Sequence, residues 1–147
     1  MLAVGHSHFV RPYLDTCTLS LDYGAQQATI YLSRLNWQKE QKLVVIGDKG
    51  AAVFDDTKPW DQKATFYKNY AEPQGKGFTL HKDFEGEGEP LKPEEPLRLE
   101  LEHFLESILH HRQPLTAGRD AIKVIQLLVA ADESLKKQSW VSIAEFL

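Results

Sequence analysis

The sequence predicts an α+β domain: an open, mainly antiparallel β-sheet of about six strands with two C-terminal helices packed on one face. Three observations predict it. Apolar and polar residues alternate with period two through much of residues 1–68, the period becomes that of an amphipathic helix from Pro96 onward, and strands never alternate with helices in the βαβ manner. The chain has 147 residues, read here as a single domain over 1–147, long enough to form a core without disulfide or metal staples.

The opening LAVGHSH, bounded by Pro12, reads as a first strand. Residues 14–35 (LDTCTLSLDYGAQQATIYLSRL) contain two alternating runs interrupted by Tyr23-Gly24-Ala25, the pattern of a β-hairpin. One hairpin face carries Cys17, Leu19, Leu21 and Tyr23 with Ala28, Ile30 and Leu32. The other carries Thr16, Thr18 and Ser20 with Thr29, Tyr31 and Ser33, and is polar but almost uncharged. Residues 42–56 (KLVVIGDKGAAVFDD) make a second hairpin through Gly47-Asp48-Lys49-Gly50; its strands are apolar on both faces and are expected in the interior of the sheet. KATFYK at 63–68 alternates once more.

Residues 69–95 hold four glycines and three prolines, so a long loop or connector is expected there, with one short strand at 77–82. From Pro96, residues Leu97, Leu101, Phe104, Leu105, Ile108 and Leu109 form one helical stripe, with proline in the first turn and an end near Arg112. A second helix starts after Thr116 or Gly118 and runs to about Lys137. Its core face is expected to carry Ala121, Val124, Ile125, Leu128 and Leu135, adjoined by Ile122 and Val129. Residues 140–143 read as a last short strand.

Composition excludes several functions. Seventeen Lys and Arg against 21 Asp and Glu give a formal charge of −4, which argues against nucleic acid as a partner. No apolar run approaches the roughly 18 residues of a membrane span, and nothing marks the chain for secretion, so no membrane partner and a cytoplasmic location are expected. The single cysteine, Cys17, has no partner for an internal disulfide and lies on an apolar strand face, the place of a core residue rather than a nucleophile.

Gly75/Gly77 and Gly86/Gly88 lack the third glycine of a dinucleotide loop and open no helix, while Gly47/Gly50 lead into a strand; no cofactor is expected to bind this chain. His6 with His8, His103 with His110, and Glu100 with His103 each share a face, but nothing supplies a third ligand, so no metal is expected. His110, His111 and Arg112 are read as cations at a helix C-terminus. The acidic residues between Asp83 and Glu95 read as a solvated loop, Lys58-Pro59 as a turn, and no catalytic set is identifiable.

The segment VVIGDKGAAVFDD, preceded by ATIYLSRLNWQKEQ and followed by EPLRLELEHFLESILHHRQPLTAGRDAIKVIQLLVAADESL, resembles the C-terminal domain of the glucose-fructose oxidoreductase, inositol dehydrogenase and rhizopine-catabolism (Gfo/Idh/MocA) family of NAD(P)-dependent sugar oxidoreductases. The resemblance covers residues 2–141 and includes D-x-x-x-x-x-L-x-Y at 15–23, I-G-D-K-G, an aspartate pair, E-P-L-x-x-E, H-F-L and R-Q-P-L-T-A-G. Within the family it is nearest to the dehydrogenases that oxidise UDP-N-acetyl-hexosamines or their uronates at C3.

The family's nucleotide-binding half, its E-K-P stretch with the catalytic lysine and its catalytic-histidine helix have no counterpart here. The resemblance therefore implies a substrate-side and oligomerisation domain, inactive alone, that works with a separate Rossmann-domain subunit holding the NAD(P). A solitary, non-enzymatic dimeric binding domain, or a truncated-gene remnant, is the alternative. Arg11, Arg34 and Trp37, at expected strand ends, offer charge and a stacking face to a sugar or nucleotide-sugar. Two helices cover only one face of a six-stranded sheet, so a homo-oligomer is expected through the other face, with Thr18, Thr29, Tyr31, Val44 and Ile46 near its centre.

Overall fold

The computed structural model describes residues 1–9, 13–68, 70–81 and 85–146, and of Tyr70 the backbone alone. They form two compact units, one of Met1–Asn36 with Glu100–Leu147, the other of Trp37–Leu99. The class is α+β: the described strands pair antiparallel and precede two long helices, α1 (Pro96–Leu109) and α2 (Gly118–Lys137). The strands are divided among three sheets rather than gathered into one of about six. No helix among the described residues is long and apolar enough to cross a membrane.

In the first unit, β1 (Leu2–His6), β2 (Thr16–Asp22) and β3 (Gln27–Ser33) pair in that order. The β2/β3 register places Cys17 opposite Leu32, Leu19 opposite Ile30 and Leu21 opposite Ala28, with Thr18 opposite Tyr31 and Ser20 opposite Thr29. These are the two faces that the alternation predicts. The turn closes with Tyr23 N donating to Gln26 O, and Gly24 takes a φ of +83°, a left-handed conformation that glycine adopts without steric cost.

Helix α2 packs on this sheet through small residues. Ala130 and Ala131 join Met1, Ala3, Leu19 and Leu21 in one buried cluster, with Cys17, Leu127 and Leu135 against it. Ser134, wholly buried, is a polar bolt: its Oγ accepts from Ala3 N (2.9 Å) and donates to Ser139 O (2.7 Å). Nearby, the Met1 amino group donates to Val141 O (2.8 Å) and Val141 N to Met1 O (2.9 Å). Residues 143–146 form a 3₁₀ turn, so this bridge at Val141 is what remains of the strand expected at 140–143.

Of the α2 face expected in the core, Leu135 packs against the buried cluster and the remainder is exposed. Ile122, Val124, Ile125, Leu128 and Val129 are all exposed, whereas the buried residues lie nearly half a turn around the helix. Alanine and serine admit a closer helix approach to the sheet than branched side chains do, and the Ser134 hydrogen bonds hold that approach. The stripe of α1 is exposed too, from Leu97 to Leu109, with Ser107 its one buried residue. Packing of both helices on one sheet face is thus corrected to α2 alone, on β1 to β3.

In the second unit, β4 (Lys42–Ile46), β5 (Ala51–Asp55), β6 (Ala64–Tyr67) and β9 (Glu87–Glu89) form one sheet in that order. Gly47 N donates to Gly50 O to close the expected turn, and a Cβ on Gly50 would stand 2.8 Å from Tyr67 O, so only glycine lets the turn approach β6. β4 is an edge strand exposed along its whole length, not an interior strand. No described residue of this unit is buried.

The expected connector at 69–95 holds the hairpin β7 (Tyr70–Gln74) and β8 (Gly77–His81), as well as β9. Pro73, which argued against a strand, is tolerated because a two-stranded hairpin consists only of edges, and Gly75 takes the turn at a φ of +59°.

Candidate functional site

The most elaborate polar centre lies in the first unit at Asp15, which is 3% exposed. Its carboxylate accepts from the backbone N–H of His8 (2.5 Å) and Phe9 (2.9 Å) at Oδ2 and from the Arg34 guanidinium at Oδ1. Its backbone is equally engaged: Asp15 N donates to His6 O (2.8 Å) and Arg34 N to Asp15 O (3.0 Å). Burial alone would raise the Asp15 pKa. The two amides and the guanidinium outweigh it and hold the carboxyl below the usual aspartate value. Gly5 packs closely beside this knot, since a Cβ there would stand 2.7 Å from Leu14 Cδ1 and 3.1 Å from Thr16 O.

A groove of about 370 Å³ opens against the knot, lined by Leu14, Asp15, Thr16, Cys17, Leu32, Ser33 and Arg34. Arg34 keeps about half of its side chain in solvent while gripping Asp15. Cys17 forms one wall; burial, and then the Asp132 carboxylate, push its thiol pKa up, which suits a packing residue and not a thiolate.

The second unit holds a groove of similar size between the β4/β5 turn and β6, walled by Val45, Ala52 and Phe66 and rimmed by the Lys68–Glu87 ion pair (2.6 Å). At the opposite end of β5 and β6, Lys63 bonds Asp56 (2.6 Å) and stacks its ammonium 4.2 Å from the Trp60 ring centroid. The Lys63 hydrogen bond is the main cause of a lowered Asp56 pKa, and bonds from Thr57 lower that of Asp55. The expected lysine-proline turn is present, with Lys58 N donating to Asp55 O.

Arg34 lies in the first unit and Trp37, 90% exposed, in the second; Arg11 lies outside the described residues. Thr18 and Tyr31 are cross-strand neighbours on an exposed sheet face with Thr29 two residues along β3, while Val44 and Ile46 share a face of β4, Ile46 being 79% exposed. The His6 and His8 rings stand 6.2 Å apart, and His103 Nε2 is occupied by the Leu115 N–H. No described group of three or more His, Cys, Asp or Glu is arranged to hold a metal ion.

Sequence reasoning missed the Asp15 knot and the Ser134 bolt. Asp15, immediately before β2, carried the only signal for the knot. For the bolt the signal was the spacing of Ala130 and Ser134, four residues apart on one face of the helix.

A dinucleotide needs a strand running through glycines into a helix N-terminus that offers free N–H groups to a pyrophosphate. Neither helix here fits. Asp120 Oδ2 accepts from Ala117 N (3.2 Å) at the start of α2, and Glu95 Oε2 from Arg98 N (2.8 Å) at the start of α1, so each end already holds a carboxylate that repels phosphate. The Ala117 bond, then the Lys123 side chain, lower the Asp120 pKa and keep that charge in place.

Fold and site together define an α+β domain with grooves on its sheets and no pyrophosphate cradle among the described residues. Residues 3–143 match the family model described as "Oxidoreductase family, C-terminal alpha/beta domain", and the chain belongs to that Gfo/Idh/MocA family. No curated protein and no solved structure matches it.

Proposed function

We propose that this chain is the substrate-side and oligomerisation domain of an NAD(P)-dependent sugar or nucleotide-sugar oxidoreductase, within the group acting on UDP-N-acetyl-hexosamines or their uronates. The nicotinamide comes from a nucleotide-binding domain outside these 147 residues. The observation that carries this reading is the family match over residues 3–143. The exposed stripes of α1 and α2 support it, since contiguous apolar helix faces of this size fit a protein partner, here the nucleotide-binding domain. The uncovered polar face of β2 and β3, together with β4, supports a second copy packing through Thr18, Thr29, Tyr31, Val44 and Ile46.

Arg34 and Trp37 are the proposed sugar contacts among the described residues. Arg34, held at a fixed angle by Asp15, presents the remainder of its guanidinium to hydroxyl or phosphate oxygens, and Trp37 presents a ring for stacking. Arg11 is the third candidate. The test is calorimetry on the isolated chain with NADH, NADPH and UDP-N-acetylglucosamine. The expected result is no saturable dinucleotide binding below about 100 μM and measurable UDP-sugar binding that weakens in Arg34→Ala and Trp37→Ala. Dinucleotide binding by the isolated chain overturns the division of labour. No UDP-sugar binding, with a stable dimer, favours the solitary interaction domain instead.

A further inference from the structure

We infer that His103 is a pH-sensitive latch on the loop between α1 and α2. His103 Nε2 accepts a hydrogen bond from the backbone N–H of Leu115, twelve residues onward, at 3.0 Å. A ring nitrogen that accepts from an amide carries no proton, so the latched histidine is neutral with its hydrogen on Nδ1. Protonation turns Nε2 into a donor facing another donor, and the bond is lost.

The loop is aimed at His103 by the end of α1. His111 takes a left-handed φ of +50°, Arg112 N donates to Ser107 O (2.8 Å) and His111 N to Ile108 O (3.2 Å), a Schellman turn that reverses the chain along the helix. Ser107 Oγ bonds His103 O (2.8 Å) within the same turn of helix, fixing the backbone from which the imidazole projects. Leu115 itself is 85% exposed, so its amide bond to His103, rather than burial of its side chain, is what anchors the loop there.

The charged groups along the His103 side of α1 are Glu100 and Glu106, one turn either way, and His110 two turns on. The loop contributes Arg112, and the start of α2 contributes Arg119 and Asp120. The Leu115 amide can bond only the neutral ring. The latch is therefore closed while the ring is neutral and opens when the ring takes up a proton.

The test is NMR of the full chain between pH 8 and 5. At pH 8 the His103 ring should show the Nδ1–H tautomer in long-range ¹⁵N–¹H spectra. The Leu115 amide should shift with the His103 titration, and its exchange, corrected for the intrinsic pH dependence, should be about tenfold faster with the ring protonated. His103→Gln, whose side-chain carbonyl sits where Nε2 does, should retain the Leu115 protection and abolish its pH dependence. An Nε2–H tautomer at pH 8 overturns the proposal, as does a Leu115 amide indifferent to the His103 titration or still titrating in His103→Gln.

Discussion

The two units use the same kind of antiparallel strand to different ends. In the first, a helix of the same chain lies on the sheet and buries Ala3, Leu19 and Leu21 beneath Ala130 and Ala131, with Ser134 satisfying two backbone groups inside the contact. In the second, Leu43, Val44, Val45 and Ile46 are at least as apolar, yet every one is exposed. Ion pairs such as Lys42–Asp55 and the part-buried Lys63–Asp56 accompany that sheet but do not cover its apolar residues. Apolar sequence alone does not make a core. Burial needs a second layer, which the first unit has of its own and the second would gain from the partner proposed above.

The sharpest way to break this comparison is at the helix-to-sheet contact. Ser134→Ala strands the buried Ala3 N–H and removes a partner of the Ser139 carbonyl, and should cost about 1–3 kcal/mol, read from urea unfolding. A cost below about 0.5 kcal/mol would mean that the first unit does not depend on this seam.

Next in size is the Asp15 knot. Asp15→Asn should lower the melting temperature by several degrees at pH 7, because its amide N–H₂ faces Arg34 where a charge stood. The Asp15, Asp55, Asp56 and Asp120 pKa values are all lowered on folding, so their stabilisation is present above the unfolded aspartate value near pH 3.9 and is lost as pH falls through the lower folded values. Thermal melts should be level from about pH 5 to 7 and fall steeply below about pH 4, less steeply in Asp15→Asn.

On β4, Ile46→Lys should change unfolding free energy by no more than about 0.5 kcal/mol under monomeric conditions, since the side chain is solvated, yet it should abolish self-association in light scattering. Loss of fold instead would place Ile46 in a core of its own. The smallest effects belong to the left-handed residues His111 and Gln138, both near a φ of +50°. His111→Gly and Gln138→Gly should each stabilise by roughly 0.5 kcal/mol, since glycine sheds the cost of that conformation but loses more chain entropy.

Strand positions and the β2/β3 register were legible because alternation and a tyrosine-glycine turn act locally, and the starts of both helices because Pro96 and Thr116 to Gly118 punctuate the chain. The buried face of α2 was not. Its bulky stripe of Ile122, Ile125 and Val129 reads as core under any periodicity rule, while the true contact, through Ala130, Ala131 and Ser134, follows from how closely a helix can approach a sheet. The division of strands among sheets depends on long-range pairing, which periodicity does not encode. Of the candidate site, Arg34 was legible as a charge at a strand end, but its grip on Asp15 requires the His8 and Phe9 amides to converge on the same carboxylate, a tertiary arrangement with only Asp15 to announce it.

Amide exchange measured by mass spectrometry across a concentration series tests most directly whether the second unit needs a cover. At concentrations where the chain has its monomer mass of 16.8 kDa, β2 and the C-terminal half of α2 should be protected while β4 exchanges freely. As concentration rises, β4 should gain protection in step with a doubling of mass. Protection of β4 equal to that of β2 in a population wholly monomeric would contradict the contrast between the two units and, with it, the need for a partner.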